Sequence, residues 1–231
     1  MAGIYYRHIV FLNVMRYKTV MERLLRKGKE LLTLNLVPGQ RVYGEELRII
    51  GGKEWRVWNP YRSKLAAALL KGLKHWVFED RSSVLYLGAS TGTTLSHLSD
   101  LMPHSQLFAV EISAVMMKEL LRLAEHRENI IPILADANDP DDYAEVGKVD
   151  VIYQDVAQPN QAQILIKNAS RFLKHGWAYM CVKTQSIDVV KDPREVLEEV
   201  EEELTKHGLE VVERINLHPY DKAHWFLVLR N

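Results

Sequence analysis

Apolar positions in this chain do not alternate with polar ones; from about Arg81 onward they come in short unbroken runs. Val84–Gly88, Leu107–Glu111, Ile130–Ala135, Val149–Asp155 and Trp177–Lys183 are such runs, and the segments Thr94–Leu101, Ala114–Arg127 and Gln161–Lys174 between them are helical in pattern. A strand that is apolar at every position is buried on both faces, as in a parallel sheet covered by helices on each side. The pattern therefore predicts a doubly wound α/β domain. After Lys183, Asp192-Pro193-Arg194-Glu195 opens an acidic helix with an N-cap aspartate and a proline at its first position, and Gly208 closes it. Two last runs, Leu209–Leu217 and His224–Leu229, are separated by a turn around Pro219–Lys222. That turn is too short for a parallel crossover, so an antiparallel hairpin is expected at one sheet edge.

The first part of the chain is patterned differently. Glu46–Ile50 and Glu54–Trp58 flank Gly51-Gly52, and a two-glycine turn supplies the positive φ angles of a tight hairpin. Pro38-Gly39 marks a turn, His8–Val14 reads as a strand, and Ser63–Leu73 reads as a helix. Thr19–Leu34 admits two readings: Thr19 with Glu22 resembles a capping box, while Lys27-Gly28 can turn a hairpin, and strands are preferred. The expected organisation is a small N-terminal β domain over residues 1–60, followed by the α/β domain over residues 61–231.

Composition narrows the class of protein. At 231 residues and 47% hydrophobic content, the chain has enough apolar material for a full core. Its single Cys181 lies in an apolar run, which rules out an internal disulfide and fits a reducing compartment. No run approaches the ~20 apolar residues of a membrane span, and the N-terminus lacks the apolar core of a signal peptide, so a cytoplasmic protein is expected. Lys plus Arg balance Asp plus Glu at 30 each, which argues against strong unaided binding to a polyanion. No metal site is assigned.

The candidate chemistry begins at Val84-Leu85-Tyr86-Leu87-Gly88-Ala89-Ser90-Thr91-Gly92-Thr93-Thr94. An apolar strand that breaks at a glycine and crosses a second one before a helix can bring bare backbone and free N–H groups to a ligand. The motif lacks the third glycine of a dinucleotide fingerprint and the Lys-Ser/Thr ending of a P-loop, so its surroundings must specify the ligand. Glu111 ends the second run about 20 residues after the loop, the spacing of a ribose-binding acid. Asp136 ends the third run, where a carboxylate can take the amino group of an adenine, and Asp155 ends the fourth. Three acids at successive strand ends face one crevice, the place where open α/β sheets bind ligands. Taken singly, Glu111 also fits a solvated strand end and Asp136 a helix N-cap. Lys183 closes the fifth run and points toward the crevice that Asp155 lines; catalytic and purely structural ion pairs are both open to it. Lys64 near the start of its helix and His224 at the start of the last strand complete the candidates, against readings as a solvated helix residue and an edge histidine.

Several stretches together resemble a known family. Leu36-Val37-Pro38-Gly39-Gln40-Arg41-Val42-Tyr43-Gly44-Glu45, Trp58-Asn59-Pro60-Tyr61-Arg62-Ser63-Lys64-Leu65, Tyr86–Thr94, Asp150–Gln163 and Ser186-Ile187-Asp188-Val189 are similar to fibrillarin of the short, archaeal type. The resemblance runs from about Asn35 to the C-terminus, and its most specific part is Asp155-Val156-Ala157-Gln158-Pro159-Asn160-Gln161. Residues 1–34 do not match the family pattern cleanly, and the glycine-arginine-rich extension of eukaryotic members is absent. The resemblance implies a Rossmann-like S-adenosylmethionine-dependent methyltransferase fold, a mostly parallel seven-stranded sheet ending in the antiparallel hairpin. It implies methyl transfer to ribose 2′-oxygens of rRNA and tRNA inside a box C/D guide ribonucleoprotein. The implied partners are a Nop-domain scaffold protein, a kink-turn-binding ribosomal-type protein and the guide RNA. By motif match, Thr93, Thr94, Glu111, Asp136, Ala137, Asp155 and Gln158 fall at cofactor positions, and the adjoining Gly88, Ala89, Ile112, Val156 and Ala157 complete the candidate lining. Lys64, Asp155, Lys183 and His224 match the family's Lys-Asp-Lys-His catalytic group. Lys183 either takes the hydroxyl proton in its neutral form or, charged, steers the hydroxyl. Two rival classes share parts of this pattern: a methyltransferase for proteins or small molecules, and a non-catalytic ribonucleoprotein scaffold. The acidic Glu195–Glu203 helix reads first as a solvated face, with partner docking as its alternative.

Overall fold

Tight turns build the first sheet. A computed structural model describes residues 20–231, so the expected strand His8–Val14 and the proposed cap Thr19 lie outside the described residues. Residues 20–22 are helical, and the preferred strands follow as β1 (Leu24–Lys27) and β2 (Glu30–Leu34), with Gly28 at φ 60° turning the chain between them. β3 (Leu47–Ile50) and β4 (Lys53–Trp58) flank Gly51 and Gly52, at φ 60° and 75°. All four pair antiparallel in the order β1-β2-β4-β3.

The apolar runs form the second sheet. Its strands are β5 (Ser83–Leu87), β6 (Gln106–Glu111), β7 (Ile130–Leu134), β8 (Val149–Gln154), β9 (Leu173–Lys183), β10 (Glu210–Asn216) and β11 (His224–Arg230), in the order β10-β11-β9-β8-β5-β6-β7. β9, β8, β5, β6 and β7 run parallel, while β10 and β11 form the expected antiparallel hairpin at one end. Val84 and Tyr86 of β5 face one apolar core and Leu85 and Leu87 the other, which is why the run carries no polar position. The first core is closed by α1 (Lys64–Leu70), α2 (Thr93–Leu101) and α3 (Ala114–Ala124). The second is closed by α4 (Gln161–Phe172) and, after the short α5 (Thr184–Ile187), by α6 (Pro193–Lys206), which Asp192 caps as expected.

Three helices stop earlier than their patterns predict. α1 ends at Leu70, followed by Gly72 at φ 94°, and not at Leu73. α4 ends at Phe172, because residues 173–176 belong to β9: Leu173 pairs with Val149, and a Cβ on Gly176 would stand 2.6 Å from the Asp150 carbonyl oxygen. α3 ends at Ala124, and Arg127, expected within it, turns inward instead to an ion pair with Asp100.

That ion pair belongs to a buried network joining the two sheets. The Asp100 carboxylate on α2 accepts hydrogen bonds from Arg56 (2.7 Å), Arg127 (2.7 Å), the Thr33 hydroxyl (2.8 Å) and the Leu36 N–H (3.0 Å). Arg56 of β4 also donates to Glu45 at 2.6 Å, so two guanidinium groups meet two carboxylates and the charge closes. Because the Thr33 hydroxyl gives its proton to Asp100, it accepts from Nδ1 of His97 (2.8 Å), and Nε2 of that neutral ring accepts from the Tyr43 hydroxyl (2.8 Å). Trp58 stacks on the same ring at 4.8 Å. Burial, then the charges of Arg56 and Arg127, hold the His97 imidazole well below its usual pKa.

Removing the shared anion leaves buried guanidinium charge without its partner, so Asp100→Ala is expected to cost about 3–5 kcal/mol of stability, read by denaturant unfolding. Unchanged stability would exclude the network as the joint between the sheets. The low proton affinity of His97 gives a second expectation. Below the unfolded imidazole pKa of about 6.5 the unfolded chain takes up a proton that the native ring refuses, so stability is lost as pH falls through that value. The drop in melting temperature between about pH 7 and pH 5 should therefore be smaller in His97→Gln than in the wild type, and equal slopes would refute it.

Candidate active site

β5 lies at the centre of the parallel strands with β6 on one side and β8 on the other, and the crevice opens where the order reverses. Gly88 (φ 79°) turns the chain out of β5, its N–H and that of Ala89 donate to the Val110 carbonyl, and Gly92 (φ 85°) starts α2. The two glycines serve protein packing as much as a ligand. A Cβ on Gly88 would lie 2.8 Å from the Asp155 carbonyl oxygen, and one on Gly92 would lie 2.4 Å from a Leu123 methyl. The loop thus lets the backbone that carries Asp155 pass close to the end of β5.

A cavity of about 330 Å³ fills the crevice, within the range of small-molecule sites. Gly88, Glu111, Ile112, Asp136, Ala137, Asp155, Val156, Ala157 and Gln158, all expected there, line it together with Lys183. Ala89, Thr93 and Thr94 stand outside that wall. The Thr94 hydroxyl instead donates to Ser63 at 2.9 Å, tying the start of the glycine-loop helix to the N-cap of α1. Glu111 accepts the N–H groups of Ser90 and Ser113, both at 2.8 Å, which fixes the carboxylate and leaves lone pairs open to the cavity. Asp136 accepts the Asn138 N–H at 2.8 Å, and the Asn138 amide bonds the Gln158 side chain at 2.6 Å. Acids at the edge and apolar Ile112, Ala135 and Ala137 beside them suit a nucleoside: hydrogen bonds for sugar and base, flat contact for the ring.

Of the four expected catalytic residues, Asp155 and Lys183 lie in the cavity wall and Lys64 joins them, while His224 is linked to Lys64 only through Asp221. Asp155 Oδ1 lies 2.8 Å from Lys183 Nζ and 3.1 Å from Lys64 Nζ, and Lys183 also donates to the Asp155 carbonyl at 3.0 Å. His224 stands opposite Lys183 in the β9–β11 register but bonds elsewhere: its Nδ1 is 2.8 Å from Asp221, which reaches toward Lys64 at 3.8 Å. Burial pulls the Lys64 pKa down, but the charges of Asp155 and Asp221 outweigh it, and the ammonium is held above its usual value. Burial, then the Asp155 charge, pushes the Cys181 thiol beneath up to about 12, so it is inert.

The fibrillarin family sequence model matches residues 12–231. The chain belongs to the fibrillarin family. A fibrillarin-like rRNA/tRNA 2′-O-methyltransferase of Thermococcus onnurineus is 53% identical over 206 residues, which are 88% of this chain and 91% of that protein. The crystal structure of Aeropyrum pernix fibrillarin with natively bound S-adenosyl-L-methionine superposes with a TM-score of 0.81 at 44% identity, covering 87% of this chain and 88% of that one. The fibrillarin chain similar to it in a fibrillarin/Nop5p complex has a TM-score of 0.82 at 41% identity, covering 90% and 96% respectively.

In this fibrillarin-family chain, sequence reasoning missed two residues that build the site. Asp221, in the turn three residues before His224, links that ring to Lys64; an aspartate in a polar turn gave no signal of its own. Gln161 clamps the Lys183 backbone in both directions, accepting its N–H at 3.0 Å and donating to its carbonyl at 3.2 Å. Its position at the end of the specific Asp155–Gln161 stretch was the available clue. The Gly88 packing yields an expectation: Gly88→Ala has no room for its methyl and an unfavourable φ, so stability should fall by more than about 1 kcal/mol. A thermal melt like that of the wild type would contradict the close approach.

Proposed function

We propose that this chain is an S-adenosylmethionine-dependent RNA ribose 2′-O-methyltransferase for rRNA and tRNA, and the catalytic subunit of a box C/D guide ribonucleoprotein. The observation that carries this reading is one carboxylate, Asp155, gripped by two lysines beside a cavity whose lining suits a nucleoside, in a fibrillarin-family chain. The residues fit the cofactor. Glu111 is assigned to its ribose hydroxyls, Asp136 to the adenine amino group, and Ile112 and Ala137 to the faces of the ring. When bound, S-adenosylmethionine supplies an electrophilic methyl group on a sulfonium.

The chain's own residues supply the rest. A ribose hydroxyl is a weak nucleophile near neutral pH, so it must be aligned and relieved of its proton. Lys64 keeps its proton, since Asp155 and Asp221 hold its pKa above normal, and serves as a fixed cation that orients ribose or phosphate. We assign proton removal to Lys183 acting in its neutral form, after its own ammonium proton has passed to solvent, with Asp155 at 2.8 Å and Gln161, through the backbone, holding it in place. His224 donates through Nδ1 toward Asp221 and the Lys222 carbonyl, which leaves Nε2 to bond the substrate.

A formal net charge of +0 supplies little general attraction for RNA, which supports the proposed reliance on a Nop-domain scaffold, a kink-turn-binding protein and a guide RNA. The proposed setting is the cytoplasm. Among the described residues no helix is long and apolar enough to cross a membrane. Reconstitution with labelled cofactor at near-physiological salt tests the reading. The full assembly should methylate one guide-specified ribose, and the chain alone should act poorly and without site choice. Lys183→Ala should lower turnover by ~100- to 10,000-fold while cofactor affinity holds. Efficient site-specific methylation by the chain alone would point to a guide-independent enzyme, and a Lys183→Ala variant retaining more than about a tenth of the rate would make that lysine structural.

A further inference from the structure

A second cavity, about 690 Å³, lies between the small sheet and the turn that leads into β11, lined by Tyr61 and Arg62 just before Lys64 in the chain and by Tyr220 just before Asp221. Tyr61 and Tyr220 face each other across part of it, edge to face with ring centroids 5.3 Å apart, and Tyr43, Trp58, Arg62 and Lys29 complete the relevant wall. Tyr61 is 67% exposed. A large aromatic ring held in water contributes little to the core, and its neighbours hold it in one place. The Tyr61 N–H donates to the Asn59 side chain at 2.8 Å, and the Arg62 N–H donates to the Asn59 carbonyl at 3.1 Å. On the facing turn, the N–H groups of Tyr220 and Asp221 both donate to the Leu217 carbonyl.

Both tyrosines are fastened to the ionic cluster by the chain itself. Tyr61 precedes the N-cap Ser63 and Lys64, and Tyr220 adjoins Asp221, the partner of Lys64 and His224. The electrostatics of the groove favour a polyanion. Glu45 is neutralised by Arg56 at 2.6 Å, and Glu30 and Glu46 share Arg48 at 2.9 and 2.8 Å. Arg62 lies 5.8 Å over the Tyr43 ring and, like Lys29, has no carboxylate partner among the described residues, so against the one carboxylate that Arg48 leaves uncompensated the groove keeps a small positive excess.

We propose that Tyr61 and Tyr220 form a stacking platform for the base of a nucleotide adjoining the target ribose, with Arg62 and Lys29 against its phosphates. This rests on the RNA methyltransferase reading above. An RNA whose 2′-hydroxyl lies beside Asp155 and Lys183 must continue past Lys64 on one side, and the aromatic groove is the surface it meets there. Aromatic rings bind any base through its π-face, and cationic side chains track the backbone without reading sequence, which suits an enzyme whose target is chosen by pairing with a guide. The platform would set the distance between the ribose and Lys183 by holding the neighbouring base.

The test compares Tyr61→Ala and Tyr61→Trp with the wild type in the reconstituted assembly. The substrates are target RNAs that differ only in an abasic site at one nucleotide flanking the modified ribose. Tyr61→Ala should raise the KM for intact RNA roughly 10-fold or more, as expected for loss of one base stack, with cofactor affinity and melting temperature unchanged. Tyr61→Trp should restore it. One abasic RNA should cost the wild type the same factor and cost Tyr61→Ala nothing further. A Tyr61→Ala variant with wild-type kinetics, or a loss that adds to that of every abasic RNA, would overturn the platform alone. Loss of assembly by Tyr61→Ala would show that the groove docks a protein and would also overturn it. A wild-type assembly that methylates no RNA would overturn the functional reading and the platform together.

Discussion

Everything above the glycine loop hangs on the carboxylate of Asp100. It is fully buried, and a buried charge is tolerable only when paired and fully hydrogen-bonded, so it dictates the placement of every group that reaches it. Arg56 and Thr33 come from the small sheet, Leu36 from the segment between its β2 and β3, and Arg127 from the turn after α3. Asp100 itself sits on the helix that begins at Gly92. The small sheet, the glycine loop and the second strand–helix unit are therefore held to one anion, and none can shift without exposing or orphaning a charge.

From that frame the geometry passes to the site in two steps. The start of α2 carries Thr94, whose hydroxyl bonds the Ser63 cap of α1, and α1 begins with Lys64. On the other side, Gly88 admits the backbone of Asp155 against the end of β5, and Gln161 fixes Lys183 opposite. The two lysines thus reach one carboxylate from different elements, each positioned by its own backbone and not by the ion pairs. The ion pairs tune charge; the hydrogen-bonded scaffold supplies position. Such division suits a site that has to release its contacts to substrate without losing its shape.

Neutral overall charge and local organisation fit together in the same way. An enzyme that drew RNA to itself by a large positive surface would bind every RNA in the cell, whereas one with balanced charge has to be brought to its target. The positive groups near the site are few and placed: Lys64, Lys183 and the Arg62–Lys29 groove.

The periodic information in the chain was sufficient for its architecture. Unbroken apolar runs can be satisfied only by a sheet covered on both faces, two-glycine and short polar turns force hairpins, and acids at successive strand ends have one crevice to face. Those rules are local, and they recovered the described strands after Arg81, the parallel centre, the terminal hairpin and the acids that line the cavity, while Ala137 and Gln158 came only from the family resemblance. They failed where a distant partner outweighed local preference. α3 stops short of Arg127, which instead turns inward to an anion on another helix, and Leu173 and Lys174 leave the helix for the strand that pairs with β8. Asp221 carried no distinctive local pattern, and Gln161 only its place at the end of the Asp155–Gln161 stretch, since a turn aspartate and a helix-start glutamine acquire a role only from what folds against them. Sequence by itself determined which faces had to be buried, because hydrophobic burial is additive along a strand; only the tertiary structure decided that Asp100 meets Arg56 and Arg127 and that Asp221 meets Lys64 and His224, because an ion pair depends on the separation of groups far apart in the chain.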